Sequence, residues 1–253
     1  MPIEAILFDK DGTLVDFFAT WVPAYRAAAD LGSGLAGRPG MTDELLRLGG
    51  YDSASGRIDP SSLLAGGTTR EICDFWCAVL GGAGDRLLAA RLHETMDLHA
   101  SRGAVAIGAG LPSLFGRFRT RGITLGMATM DSEFVARATA ETLELSESLA
   151  FLCGYNSGHG MKPGPGMVLA YCSATGLAPE QVMVVGDTDR DMGMARAAGA
   201  GLAVGVLSGA TPRARLAPLS DCILDDVFAL ENAWDDLTGD ERQSRTIRGD
   251  DSG

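Results

Sequence analysis

Ile3-Glu4-Ala5-Ile6-Leu7-Phe8-Asp9-Lys10-Asp11-Gly12-Thr13-Leu14 opens the chain with an apolar strand that breaks, at Asp9, into a turn carrying two carboxylates two positions apart. A short apolar run bounded by turn residues is the pattern of a strand buried on both faces. Two like charges at such a strand end repel and raise each other's pKa unless a cation or hydrogen-bond donors compensate them. Taken alone, the segment also reads as an Asx-rich turn with Gly12 at the bend.

The same pattern recurs downstream. Apolar runs at 123–129, 149–154, 182–186, 202–206 and 222–224 read as further buried strands, and 112–120, 132–143, 166–175 and 191–198 read as helices between them. Alternation of this kind predicts an α/β fold with a doubly wound, mostly parallel, Rossmann-like sheet, and it places ligands at the carboxyl ends of the strands. The exception is 17–100, which has no good strand run and reads as an inserted α-helical cap with helices at 21–31, 42–48, 69–80 and 85–99. Gly32-Ser33-Gly34 and Gly49-Gly50 read as its turns. The expected organisation is a catalytic core of 1–16 and 101–237, a cap of 17–100 and a disordered polar tail of 238–253.

A second apolar strand also ends in acid: Val182-Met183-Val184-Val185-Gly186-Asp187, followed by Asp189 and Asp191. In a doubly wound sheet both clusters fall on one edge. Three or four converging carboxylates are the hard oxygen ligands that Mg²⁺ prefers, and without an ion their repulsion is destabilising. Between the clusters lie Thr129, closing a strand, and Lys162 in Gly160-Met161-Lys162-Pro163-Gly164-Pro165. Singly, a strand-terminal Thr is also a structural residue or helix N-cap, and a Lys in a Gly/Pro loop is also simply solvated.

Composition narrows the alternatives. The 253 residues are 46% hydrophobic, enough for a sizeable core and a smaller companion domain, and the formal charge is −12 with Lys and Arg scattered. No basic stripe offers itself to a nucleic-acid backbone. The five cysteines form no disulfide framework, and Cys73 and Cys77, one helical turn apart beside Phe75 and Trp76, read as helix packing. No apolar stretch is long enough to span a bilayer and no signal-peptide pattern precedes the first strand, so no membrane partner and a cytoplasmic location are expected, as monomer or homodimer. Gly108-Ala109-Gly110 is a poor dinucleotide loop and no GxxxxGK[ST] string is present. His93 and His99 lack a zinc pattern, and His159 sits in the loop before Lys162.

Taken in order, DKDGTLVD, the strand-terminal Thr129, Lys162 and GDTDRDMGMARAAGA resemble the four motifs of the haloacid dehalogenase-like superfamily. Lys162-Pro163, Ala195-Arg196-Ala197-Ala198-Gly199, Gly205-Val206-Leu207-Ser208-Gly209 and the position of the cap resemble its phosphoglycolate phosphatase-like branch. The resemblance implies a phosphatase in which Asp9 attacks phosphorus and becomes an aspartyl phosphate, while Asp11 acts as general acid and then general base. It also implies Mg²⁺ held by Asp9, the Asp11 backbone carbonyl and Asp187. Thr129 and Lys162 would bind phosphoryl oxygens, and Asp191 would hold the site's waters or Lys162. Met130 stands where relatives often carry Asn, next to the phosphate-binding hydroxyl. Superfamily dehalogenases lack an acid at the position of Asp11, so the resemblance is to the phosphomonoester version.

The substrate expected is a small phosphorylated metabolite such as phosphoglycolate or a sugar phosphate, chosen by the cap, where Arg57 and Arg70 are candidates to hold a carboxylate or hydroxyl. A phosphosugar mutase similar to β-phosphoglucomutase uses the same core residues. A phosphoaccepting receiver module orders its acids differently along the chain, and an inactive binding homologue would not be expected to keep every charged motif residue.

Overall fold

Ala5–Phe8 forms β1 in the computed structural model, which describes residues 2–59 and 62–239. All four side chains are buried: Ala5 and Leu7 join one apolar cluster, Ile6 and Phe8 another, following the two-residue period of a strand covered on both faces. The chain then passes through α1 (Phe17–Leu35), α2 (Thr42–Gly49), β2 (Tyr51–Asp52), β3 (Arg57–Ile58), α3 (Leu63–Gly66), α4 (Thr69–Val79) and α5 (Arg86–Arg102). The sheet resumes after α6 (Leu111–Thr120) with β4 (Thr124–Ala128), α7 (Glu133–Thr142), β5 (Phe151–Cys153), α8 (Gly166–Thr175), β6 (Val182–Gly186) and α9 (Asp189–Ala198). It closes with β7 (Leu202–Val206), α10 (Arg213–Leu216), β8 (Cys222–Leu224) and α11 (Ala229–Thr238).

The strand order is β5-β4-β1-β6-β7-β8, parallel throughout. β1 therefore lies between β4 and β6, and the winding reverses across it, which makes the carboxyl ends of these three strands the natural crevice. Phe115 and Phe118 of α6 and Trp234 of α11 pack one face, and Tyr171 of α8 and Met192 of α9 pack the other. The α/β expectation holds.

Helices α1, α2, α4 and α5 bury a cluster of their own that includes Tyr25, Leu46, Trp76 and Leu92. The two crossings between this layer and the sheet run side by side, with Asp16 N donating to Val105 O at 2.8 Å and Ile107 N to Leu14 O at 2.9 Å. Three readings of the sequence need correction here. Gly32-Ser33-Gly34 is not a turn: α1 continues through it, because a Cβ on Gly32 would stand 2.8 Å from Leu92 Cδ2, so the glycine permits close approach of α1 and α5. The stretch read as wholly helical contains an antiparallel hairpin of β2 and β3, where the Asp52 carboxylate accepts from Ala54 N at 3.0 Å and Ser55 Oγ at 2.6 Å. Thr238, assigned to the tail, is the last residue of α11; 240–253 lie outside the described residues. Among the described residues no helix is long and apolar enough to cross a membrane.

Candidate active site

Asp9 follows β1 directly, its N–H bonded to Val185 O of β6 at 2.8 Å. Gly12 is required in the turn that follows on two grounds. Its φ of 79° lies in the left-handed region, and a Cβ there would stand 2.6 Å from Asp187 Oδ2. Thr129 caps β4, buried, with its Oγ1 accepting from Asp131 N at 3.1 Å. Asp187 ends β6 and its Oδ2 accepts from Ala210 N at 3.3 Å.

Lys162 reaches into this edge from the loop after β5. Its Nζ donates to Asp9 Oδ1 at 2.5 Å and to Asp191 Oδ1 at 2.6 Å, and all three side chains are largely or wholly buried. The second Asp191 oxygen caps α9, accepting from Thr188 N at 3.0 Å and Thr188 Oγ1 at 2.5 Å. A helix cap thus fixes the carboxylate that fixes Lys162.

Asp9, Asp187 and Asp191 bring carboxylate oxygens within 4.8 Å of one another, all buried. One ammonium against three acids leaves the group short of positive charge. Burial and then the charge of Asp191 push Asp9 up to about 7, although Lys162 pulls it down. Burial likewise holds Asp187 well above the carboxylate range, with Asp9 and Asp191 adding to it. Burial works against the Lys162 ammonium, but Asp191 and Asp9 outweigh it and keep its pKa above the ordinary lysine value. Asp187 Oδ1 is buried without a hydrogen-bond partner. An orphaned oxygen among clustered hard oxygen donors fits a divalent cation.

Asp11 stands apart from this triad. Its Oδ1 accepts from Lys10 Nζ at 2.8 Å and from Trp21 Nε1 of α1 at 2.7 Å, and Lys10 is also paired with Asp131 at 2.8 Å. Among the described residues the acidic group that could hold an ion therefore does not include the Asp11 side chain.

A cavity of about 270 Å³ joins these elements, lined by Asp9, Asp11, Thr129, Met130, Lys162, Asp187 and Asp191 from the sheet edge. Trp21, Tyr25, Thr68, Thr69 and Ile72 close it from the cap helices. Arg57 and Arg70 do not line it. Arg57 is exposed on the β2–β3 hairpin, and Arg70 lies exposed 3.9 Å from Asp74. The arginines that do line it are Arg190 and Arg215, the latter bonded to Asp189 at 2.6 Å. His159 is exposed near the Phe151 ring, His93 faces Asp97 at 3.6 Å, and Cys73 and Cys77 are buried in the cap cluster.

The profile of the haloacid dehalogenase-like hydrolases matches residues 3–199, most of the sheet and all of the inserted helices. The chain belongs to that family. A phosphoglycolate phosphatase of Rhodospirillum rubrum is 28% identical over 245 residues, covering 92% of this chain and 91% of that one. One of Chromobacterium violaceum is 29% identical over 208 residues, covering 80% and 85%. In fold, the chain is similar to a haloacid dehalogenase-like family protein of Streptococcus pneumoniae, with a TM-score of 0.69, 20% identity, and 92% and 98% of the two chains covered.

Lys10, Asp131, Trp21, Arg190 and Arg215 were not singled out from the sequence. Lys10 and Asp131 carry one usable signal: each is a charged residue within three positions of a strand end, where solvent is scarce.

Proposed function

We propose that the protein is a Mg²⁺-dependent phosphatase that hydrolyses a small phosphomonoester through an aspartyl phosphate on Asp9. The observation that carries this reading is the Asp9 carboxylate lining a cavity between the sheet edge and the cap helices, gripped by Lys162 and set beside an acidic group with one orphaned oxygen. A carboxylate so placed is a nucleophile for an electrophile arriving through the cavity.

In the first half-reaction an Asp9 oxygen bonds to phosphorus as the ester P–O bond breaks, and the departing oxygen takes the proton of the Asp11 carboxyl. In the second, water bonds to phosphorus, its proton passes to the Asp11 carboxylate, and the bond from phosphorus to Asp9 breaks to release phosphate. Lys162 and the Thr129 hydroxyl would hold the non-bridging oxygens, while Asp191 keeps Lys162 aimed at Asp9. Mg²⁺, held among Asp9, Asp187 and Asp191, would supply the positive charge that lets an anionic ester approach an anionic nucleophile. The curated relatives named as phosphoglycolate phosphatases make 2-phosphoglycolate the first ester to assay.

The test is phosphate release from glycolate, sugar, nucleotide and amino-acid phosphates, with Mg²⁺ and after exhaustive chelation. Metal-dependent release supports the reading. Full turnover in chelator, or release from no ester, overturns it, and conversion of sugar phosphates without phosphate release replaces it with a mutase.

A further inference from the structure

Lys10 is fully buried, yet it follows the nucleophile position directly and takes no part in the chemistry above. Its ammonium is shared between Asp11 and Asp131, each at 2.8 Å. A buried ammonium between two fixed acceptors has little freedom to move.

The second donor to Asp11 Oδ1 comes from the other layer of the molecule. Trp21 lies in the second turn of α1, shortly after the chain leaves the sheet at Asp16, and its indole is almost fully buried in the cap cluster against Tyr25, with ring centroids 5.4 Å apart. Its Nε1 donates to Asp11 at 2.7 Å, and the Lys10 ammonium lies 5.6 Å from the indole ring centroid. One side chain of the cap therefore touches both members of the Lys10–Asp11 pair.

We infer that Trp21 is a positioning residue that holds the Asp11 carboxyl in place when the cap is docked, against a fixed seat made by the Lys10–Asp131 pair. This inference rests on the proposed phosphatase reading, in which the Asp11 proton goes to the leaving oxygen as the P–O bond breaks. Without the indole N–H, Asp11 keeps Lys10 as donor but loses the bond that orients it from the cap side. The proton transfer then suffers, and phosphoryl transfer to Asp9 does so only where the leaving group needs that proton.

The experiment compares kcat/KM, which reports only the steps up to phosphoenzyme formation, for an alkyl phosphate and for p-nitrophenyl phosphate, whose leaving group departs without a proton. Trp21→Phe keeps an aromatic side chain, though a smaller one, and removes the indole N–H. General acid assistance contributes roughly 10²–10⁴-fold, so a misoriented acid should cost about tenfold or more on the alkyl ester and several-fold less on the aryl ester. Asp131→Asn, which unseats Lys10 at constant shape, should show the same selective loss and serves if Trp21→Phe fails to fold by circular dichroism. Equal losses on both esters, or none on either, overturn the inference while the phosphatase reading stands. A wild-type protein that releases phosphate from none of the esters, the panel of alkyl phosphates included, overturns both.

Discussion

Gly12 and Asp187 are packed so closely that a single added methyl on the first would stand 2.6 Å from the carboxylate oxygen of the second. Two acidic strand ends are thereby locked into one site by a residue without a side chain. Gly12→Ala meets both this contact and a φ of 79°, so a loss of stability of roughly 1–3 kcal/mol is expected, with weaker Mg²⁺ binding. Chemical denaturation and titration calorimetry measure the two. Wild-type Mg²⁺ affinity in Gly12→Ala would show that Asp187 does not hold the ion.

Asp9 has a pH signature of its own. Asp9 is raised from 3.8 to about 7, by burial first and then by Asp191, so the folded protein keeps this proton over an interval where the unfolded chain has released it. Its ionisation therefore costs stability increasingly as pH rises from about 4 to about 7, and the cost is fully present above that. Asp9→Asn should abolish turnover yet, in chelator, should melt at a higher temperature than wild type at pH 8, by a margin that shrinks toward pH 5. A margin that grows as pH falls would mean that the Asp9 charge stabilises the metal-free fold.

Metal binding must displace the protons these raised carboxyls hold. Mg²⁺ should therefore bind more tightly at pH 8 than at pH 6, with proton release visible as a dependence of the calorimetric enthalpy on the buffer's ionisation enthalpy. Binding with no proton release in buffers near neutrality would place the ion away from Asp9 and Asp187.

Lys162→Ala should lower kcat by about 10²–10³-fold, the scale of losing one charged donor to a transition-state oxygen. It also leaves Asp9 and Asp191 without their shared cation, and stranding a buried charge costs about 3–5 kcal/mol. Mg²⁺ should recover part of that stability but little of the rate. A variant that recovers both would reduce Lys162 to a structural counter-ion.

Much of this edge was legible because each strand is an apolar run, and the residue that breaks it stands where solvent and ligand meet. Asp9 and Asp187 are read that way, and both flank the cavity with Lys162 and Thr129. The Lys10–Asp131 pair was hidden because its members lie on different strand ends, and only the pairing of β1 with β4 shows that they meet. Gly32 was misread because glycine marks turns and close helix packing alike, and only α5 decides which. The cap arginines were beyond reach for a related reason: in sequence, an exposed arginine that faces a cavity looks the same as one that faces solvent.

Selectivity should depend on which arginines face the cavity. Arg57 and Arg70 lie outside the cavity and Arg190 and Arg215 line it, so the two pairs should separate kinetically on whichever ester the protein prefers. Arg57→Ala and Arg70→Ala should leave kcat/KM within about twofold and stability within about 0.5 kcal/mol, as for surface residues away from special features. Arg190→Ala should raise KM for an ester whose organic part is anionic while changing kcat little, because a charge beside the bound organic part contributes alike to ground and transition states. Arg215→Ala should act more weakly, since Asp189 already occupies that guanidinium. Steady-state kinetics on a charged and a neutral ester decides the matter. A tenfold loss in Arg57→Ala, against an unchanged Arg190→Ala, would mean that the β2–β3 hairpin folds over the bound substrate and contacts it in place of α9.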